Sequence, residues 1–304
     1  MIRFNRQYKL FVQTANSQVV GNNIVVPQNG YLLIQNPFTI EFDITRDTSA
    51  TVNQAIIKVY NLNPTNRNLI FKDRYSMVDN GSGTGYKEII LEVGYNNQYS
   101  TVFRGQIQQA YSYRNGVDMI TYIQAFDGGY ATSNANITQS FAAGTLKDQI
   151  FDSLSQLLPN ISKNKYTPST DTIQRGVTYN GNIWNFLQRD YQNEVFIDNG
   201  TLYKLKINEG TKALIQVISA ETGLLATPLR QNTNLTAETI LEPRVQVGNI
   251  VELNSTTNPS FNGQYKVIGI KHSGIISESV GGDCKTTLQL FIGSYLFGNL
   301  ITIE

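Results

Sequence analysis

A chain of 304 residues has room for about two domains, each with its own core. Charged residues make up 15% of it, well below the ~25% of an ordinary soluble protein, and 24 Lys and Arg nearly balance 23 Asp and Glu at a net charge of +1. Strong attraction to duplex nucleic acid or an anionic membrane is excluded on that balance, whereas a neutral polar surface repels its own copies weakly and favours assembly.

In chain order, Arg3, Arg6 and Lys9 interrupt the first ten residues, so no secretory leader is expected. No membrane anchor is expected either, because no run of about 18 apolar residues goes unbroken. Residues 38–45 alternate apolar and polar, the period of a half-buried strand, and Ile89, Leu91 and Val93 repeat the pattern opposite Glu88 and Glu92. Residues 8–12 and 55–60 are further strand candidates, giving an antiparallel sheet. Asn63 followed by Pro64 reads as an N-cap and first helical residue, opening a short helix to about Phe71. The strands 101–113 and 117–126 flank Arg114-Asn115-Gly116, where Asn-Gly predicts a type I′ hairpin turn.

The period then changes. Leu146, Ile150, Leu154, Leu157 and Leu158 share a helical face up to Pro159, with Thr145 and Asp148 as a capping box. Asn182 caps a second helix carrying Ile183, Phe186, Leu187 and Tyr191. Asp198-Asn199-Gly200 marks another hairpin between 195–197 and 202–207. Strands return at 249–254, 264–272 and 285–292. The fold class read from this pattern is mainly β with α+β insertions.

Chemistry is thinly supplied. His272 is the sole histidine and Cys284 the sole cysteine, which leaves no His-based metal site, no Cys-His dyad and no internal disulfide. His272 is expected at the end of a strand in a local hydrogen bond, and Cys284 as a small buried hydrophobe. Glu88 with Glu92, or Asp118 with Asp127, are carboxylate pairs of the type a glycosidase uses, although on one strand face Glu88 and Glu92 read more simply as its solvated side. The stretch 80–85 is glycine-rich but lacks the Gly-Lys-Ser/Thr ending of a phosphate loop. Seventeen tyrosines are read as core and interface material, with stacking on sugars or bases as the alternative. No catalytic residue, cofactor or metal is assigned.

A series of motifs in order resembles the baseplate hub proteins of tailed phages, the group that includes late-control-D-type proteins. They are AIIKVYNLN at 55–63 with Thr65 and Arg67, VFRGQI at 102–107, YIQAFDGG at 122–129, GTLKDQI at 144–150, GNIWNFL at 181–187 and DNGTLY at 198–203. ETGLL at 221–225 with Pro228, EPRVQVG at 242–248, and NGQYKV at 262–267 with His272 complete the series. The resemblance implies a non-enzymatic homotrimeric ring in the virion tail baseplate, assembled in the host cytoplasm. Each copy would carry two tail-tube-like β-barrels plus a smaller α+β region. Residues 1–138 would form the first barrel domain, 139–244 the α+β middle and 245–304 a segment of the second barrel. Six barrels in a trimer would adapt a hexameric tail tube or tube initiator to a trimeric spike, beside other baseplate proteins, around a channel for tape measure and DNA. No segment large enough for a fused cell-wall hydrolase is present. The resemblance carries over Asn61, Leu62, Gly105, Asp127, Gly128, Gly223, Pro243, Gly248 and Tyr265, read as turn, cap and register positions. A carbohydrate- or receptor-binding β protein, and less readily a carboxylate glycosidase, are the competing expectations.

Overall fold

Alternating side chains in the first third give strands with one face sealed. These are β1 (Arg6–Gln13), β2 (Tyr31–Gln35), β3 (Ile40–Asp47), β4 (Gln54–Tyr60), β5 (Glu88–Tyr95), β6 (Gln98–Asn115) and β7 (Asp118–Phe126). In β3, Ile40, Phe42 and Ile44 are buried and the residues between them are not. The computed structural model describes residues 5–14, 30–48, 52–72, 87–166, 168–278, 282–292 and 301–303, so the glycine-rich stretch 80–85 lies outside the described residues. Helix α1 (Pro64–Ile70) starts as expected, with the Asn63 side chain accepting from the Asn66 amide at 2.7 Å.

The middle of the chain folds as α2 (Gly129–Asn134), β8 (Asn136–Phe141), α3 (Lys147–Ser155), β9 (Ser162–Tyr166), β10 (Val177–Asn182), α4 (Ile183–Tyr191), β11 (Val195–Asp198) and β12 (Thr201–Lys204). Asn182 caps α4 through the Asn185 amide at 3.1 Å, and Asn199 and Gly200 take the two positive φ angles of a type I′ turn between β11 and β12. The chain then returns to strands: β13 (Glu209–Ser219), β14 (Leu229–Gln231), β15 (Asn234–Ile240), β16 (Asn249–Asn254), β17 (Gly263–Ile276), β18 (Cys284–Phe291) and β19 (Ile301–Ile303). Cys284 is buried and unpaired.

Four local expectations are corrected. The β6–β7 turn is Gly116-Val117, because Asn115 pairs with Asp118 and only Gly116 has positive φ, the pattern of a type II′ turn. Thr145 and Asp148 form no capping box. Leu146 is the N-cap residue, Thr145 Oγ1 donates to the Ala142 carbonyl, and buried Lys204 claims the Asp148 carboxylate at 2.7 Å. That helix ends at Ser155 rather than Pro159, leaving Leu157 exposed beyond it. Finally, His272 sits inside β17 opposite Ile44.

One fourteen-stranded sheet joins both ends of the sequence, in the order β14-β15-β18-β17-β3-β4-β7-β6-β5-β1-β2, with a branch in which β16 pairs with β17, β13 with β16 and β19 with β13. The path is antiparallel throughout, and among the described residues its two ends, β14 and β2, do not meet. The joint is the β17–β3 pair, through which a late strand completes an early sheet. Separate apolar clusters lie under the early strands, under the late strands and around α3 and α4.

Candidate functional site

Where those three cores meet, the apolar pattern breaks. Position 46 continues the inward series of Ile40, Phe42 and Ile44 in β3, yet it is an arginine with no exposed surface. Its Nη1 lies 3.0 Å from both carboxylate oxygens of Asp198, at the end of β11, and 2.7 Å from Gln246 Oε1. Nη2 approaches His272 Nε2 at 3.5 Å. A guanidinium only donates, so Nε2 accepts and Nδ1 carries the proton, which it gives to Thr286 Oγ1 at 2.8 Å. The Glu242 amide donates to the same hydroxyl at 2.9 Å.

Asn53, just before β4, adds a third tie: its Nδ2 donates to the Ile197 carbonyl at 2.8 Å. Asp127, directly after β7, accepts from the Gly200 amide at 2.9 Å. Asn199 reaches both sides of the joint, donating to Gln246 Oε1 at 3.1 Å and accepting from the Arg104 amide at 2.9 Å. Early strands, the β11–β12 hairpin and late strands are therefore held by one buried polar network.

Burial, reinforced by the charge of Asp198, pushes the Asp127 carboxyl up to about 7 against the pull of the Gly200 and Asn199 amides. Burial also raises Asp198, opposed by Arg46. Burial and then Arg46 hold His272 well below the ordinary imidazole range. Arg46 and His272 have no exposed surface, and Asp127 and Asp198 each expose 2%. These groups fix the geometry of the joint; none of them is open to a substrate.

Of the nine motif positions, the joint gathers Asp127, Gly128, Pro243 and Gly248. Gly128, at φ 69°, lies where a Cβ would come within 2.9 Å of Ile197 Cδ1; Gly248, at φ 86°, would meet Leu205 Cδ1 at 2.9 Å. The Pro243 carbonyl accepts from Gln246. Asn61 and Leu62 follow β4, at the end of that strand away from Asn53, where Asn61 Nδ2 donates to Asp118 at 2.8 Å. Gly105 is in β6 beside Phe126, Gly223 is in the turn after β13, and Tyr265, in β17, donates to the Phe261 carbonyl. Arg46, Asn53 and Gln246 were missed, although the inward register of position 46 was readable.

The suspected carboxylate pairs do not converge. Asp118 opens the nine-residue strand β7 and Asp127 follows its end, about 30 Å apart at ~3.3 Å per residue. Glu88 and Glu92 are about 13 Å apart by the same rise, and Glu88 is engaged by the Tyr31 hydroxyl and, at 2.7 Å, by Arg104 Nε. Both separations exceed the roughly 5–9.5 Å of a glycosidase pair.

The outer face of the strands from β15 to β6 mixes paired charges with neutral polar side chains and with Ile56, Ile240, Ile275 and Tyr122. Lys58 binds Glu41 at 2.8 Å, Lys271 binds Asp43 at 2.9 Å and Lys285 faces Glu238 at 3.4 Å, each pair across neighbouring strands. Between them lie the neutral side chains of Thr45, Gln54, Gln109, Gln124 and Thr287.

Residues 19–277 match the family described as baseplate hub gp41. The chain belongs to the baseplate hub gp41 family. It is accordingly a structural protein of the phage tail baseplate. No curated protein matches this hub protein in sequence. In three dimensions it is similar to the 43 kDa tail protein of prophage MuSo2 from Shewanella oneidensis, at 8% identity and TM-score 0.56, covering 93% of this chain and 98% of that one. The E. coli c3393 protein, a type VI secretion component with structural similarity to the T4 tail proteins gp27 and gp5, matches at 9% identity and TM-score 0.55, over 83% and 73% of the two chains. A chain of the Francisella PdpA–VgrG complex gives TM-score 0.61 at 9% identity; it takes in 99% of this hub protein, which spans 55% of that larger chain. At such identities the likeness is one of fold.

Proposed function

We propose that three copies of this hub protein form a ring that adapts a hexameric tail tube to a trimeric spike and lines the channel for tape measure and DNA. Two tube-like barrels per copy would supply six quasi-equivalent modules, one built on residues 1–138 and the other on 245–304 with the strands just before them, while the rest of 139–244 stands between. The observation that carries this reading is the outer sheet face, whose three lysines are each matched by a carboxylate across the strands. Such a face wets a channel without gripping phosphates, since unpaired lysines would bind DNA by displacing its counterions. The role is architectural, and assembly takes place in the host cytoplasm with the tube or tube initiator, the spike and other baseplate proteins.

Cryo-electron microscopy of the particle tests the proposal. Threefold density for this chain around the axis, at the junction of tube and spike and with the Lys271–Asp43 face toward the lumen, is expected. Density away from the axis overturns it.

A further inference from the structure

Among the described residues, two exposed apolar stretches stand out, and they lie on different parts of the chain. The first is the end of the β6–β7 ribbon. Strand β5 accompanies β6 only as far as Gln106, so Tyr111–Tyr113 form an open edge of the β4–β7–β6 sheet, and past Ile120, where β4 ends, residues 114–118 run on as a two-stranded tip; residues 111–117 are all exposed. Such an exposed strand end is a place where a sheet accepts a neighbour. It carries Tyr111, whose ring centroid lies 5.1 Å from Tyr122 and 6.0 Å from Tyr113, and ends on Val117, which is 91% exposed. Arg114 stands beside that tip.

The second surface is on β13. Its register with β16 slips between Thr211 and Gln216, and within the slip Leu214 is 82% exposed. Ile215 and Val217 follow at 38% and 41%, and exposed Glu221 stands in the turn after the strand. An apolar strand left this open calls for a cover.

We propose that the ribbon tip of one copy packs on the β13 surface of the next, with Val117 and the tyrosines against Leu214, Ile215 and Val217, and Arg114 against Glu221. The inference rests on the ring reading above and names its contact. A twofold dimer would need one self-complementary patch, whereas two different patches of matched apolarity, with Arg114 on one and Glu221 on the other, make a head-to-tail contact, the kind that forms a cyclic ring when the rotation between neighbours closes. Tyrosine and arginine are the residue types that dominate interface energetics.

The test uses the full chain in solution. Every substituted residue is exposed, so the variants keep the wild-type melting curve, which is checked first. Val117→Cys combined with Leu214→Cys is expected to give disulfide-linked dimers and trimers under mild oxidation, while either single cysteine variant does not. Arg114→Glu should weaken association by at least about tenfold in sedimentation, and adding Glu221→Arg should restore it. A wild-type protein that sediments as a ring, with no cross-link in the double cysteine variant and no loss in Arg114→Glu, overturns the contact while leaving the ring standing. A wild-type monomer at every concentration, in the particle as well as in solution, removes the ring itself.

Discussion

The joint around Arg46 and the face around Lys271 use the same chemistry under opposite conditions. Arg46–Asp198 is sealed, at 0% and 2% exposure, whereas Lys271–Asp43 is about half exposed on both sides. A buried pair holds its geometry tightly because losing one partner strands a charge in a low dielectric; an exposed pair contributes about 0–1 kcal/mol because water replaces the partner. Within the hub protein the first kind welds three substructures and the second neutralises a surface. Position, and not the identity of the ions, divides the two tasks.

The largest effect expected is at the weld. Arg46→Met leaves Asp198 without its cation and should lower the unfolding free energy by about 3–5 kcal/mol in urea titration. Adding Asp198→Leu to Arg46→Met should recover much of that loss, because the apolar pair fills the space with no stranded charge. A loss that persists undiminished in the double variant would mean that the polar network, through Gln246 and Asn53, matters more than the ion pair.

Next comes pH. Asp127 titrates near 7 in the folded hub protein and near 3.9 when unfolded, so between those values the folded state holds a proton that the unfolded chain has lost. Its stabilising contribution is full below about pH 4 and is lost as pH rises to 7. His272 works the other way: the unfolded chain takes up a proton near 6.5 and the folded joint resists it, so this contribution is present above about 6.5 and lost as pH falls. Between about pH 5 and 6.5 the two slopes, each about 1.4 kcal/mol per pH unit, oppose and nearly cancel. Asp127→Asn should therefore lose stability as pH falls from 6.5 to 5, and His272→Gln should gain it over the same interval, as read by thermal unfolding. Parallel profiles for the two variants would mean that neither group senses its surroundings as placed.

Legibility in the sequence follows the same division. The period of two in 38–45 announces β3, and Asn182 or Asn63 announces a helix, because those signals act between near neighbours. The β17–β3 pairing was not readable, since it brings together residues over two hundred positions apart and alternation says nothing about which strand a partner is. For the same reason Asp148 reads as a capping residue in the sequence, whereas Lys204, distant along the chain, holds its carboxylate. The joint was half legible: Asp127, Gly128 and the Asp198 turn stood out as motifs. Arg46 hid as a charge at the end of a strand, although counting from Ile44 turns it inward.

The smallest change in stability should come from the face, where the consequence for binding is larger. Replacing Glu41 with Gln, Asp43 with Asn and Glu238 with Gln removes the partners of Lys58, Lys271 and Lys285 while leaving the strands and their volumes intact. Stability should move by no more than about 1 kcal/mol for each pair. The three lysines, no longer matched, should now meet phosphates. At low salt the triple variant is expected to retard duplex DNA in a gel while the wild-type hub protein does not, with log affinity falling against log salt at a slope of up to about −2.7 per copy. Equal retardation of both proteins would mean that the pairs do not screen the face. A large loss of stability would make these pairs a second weld and erase the contrast with Arg46.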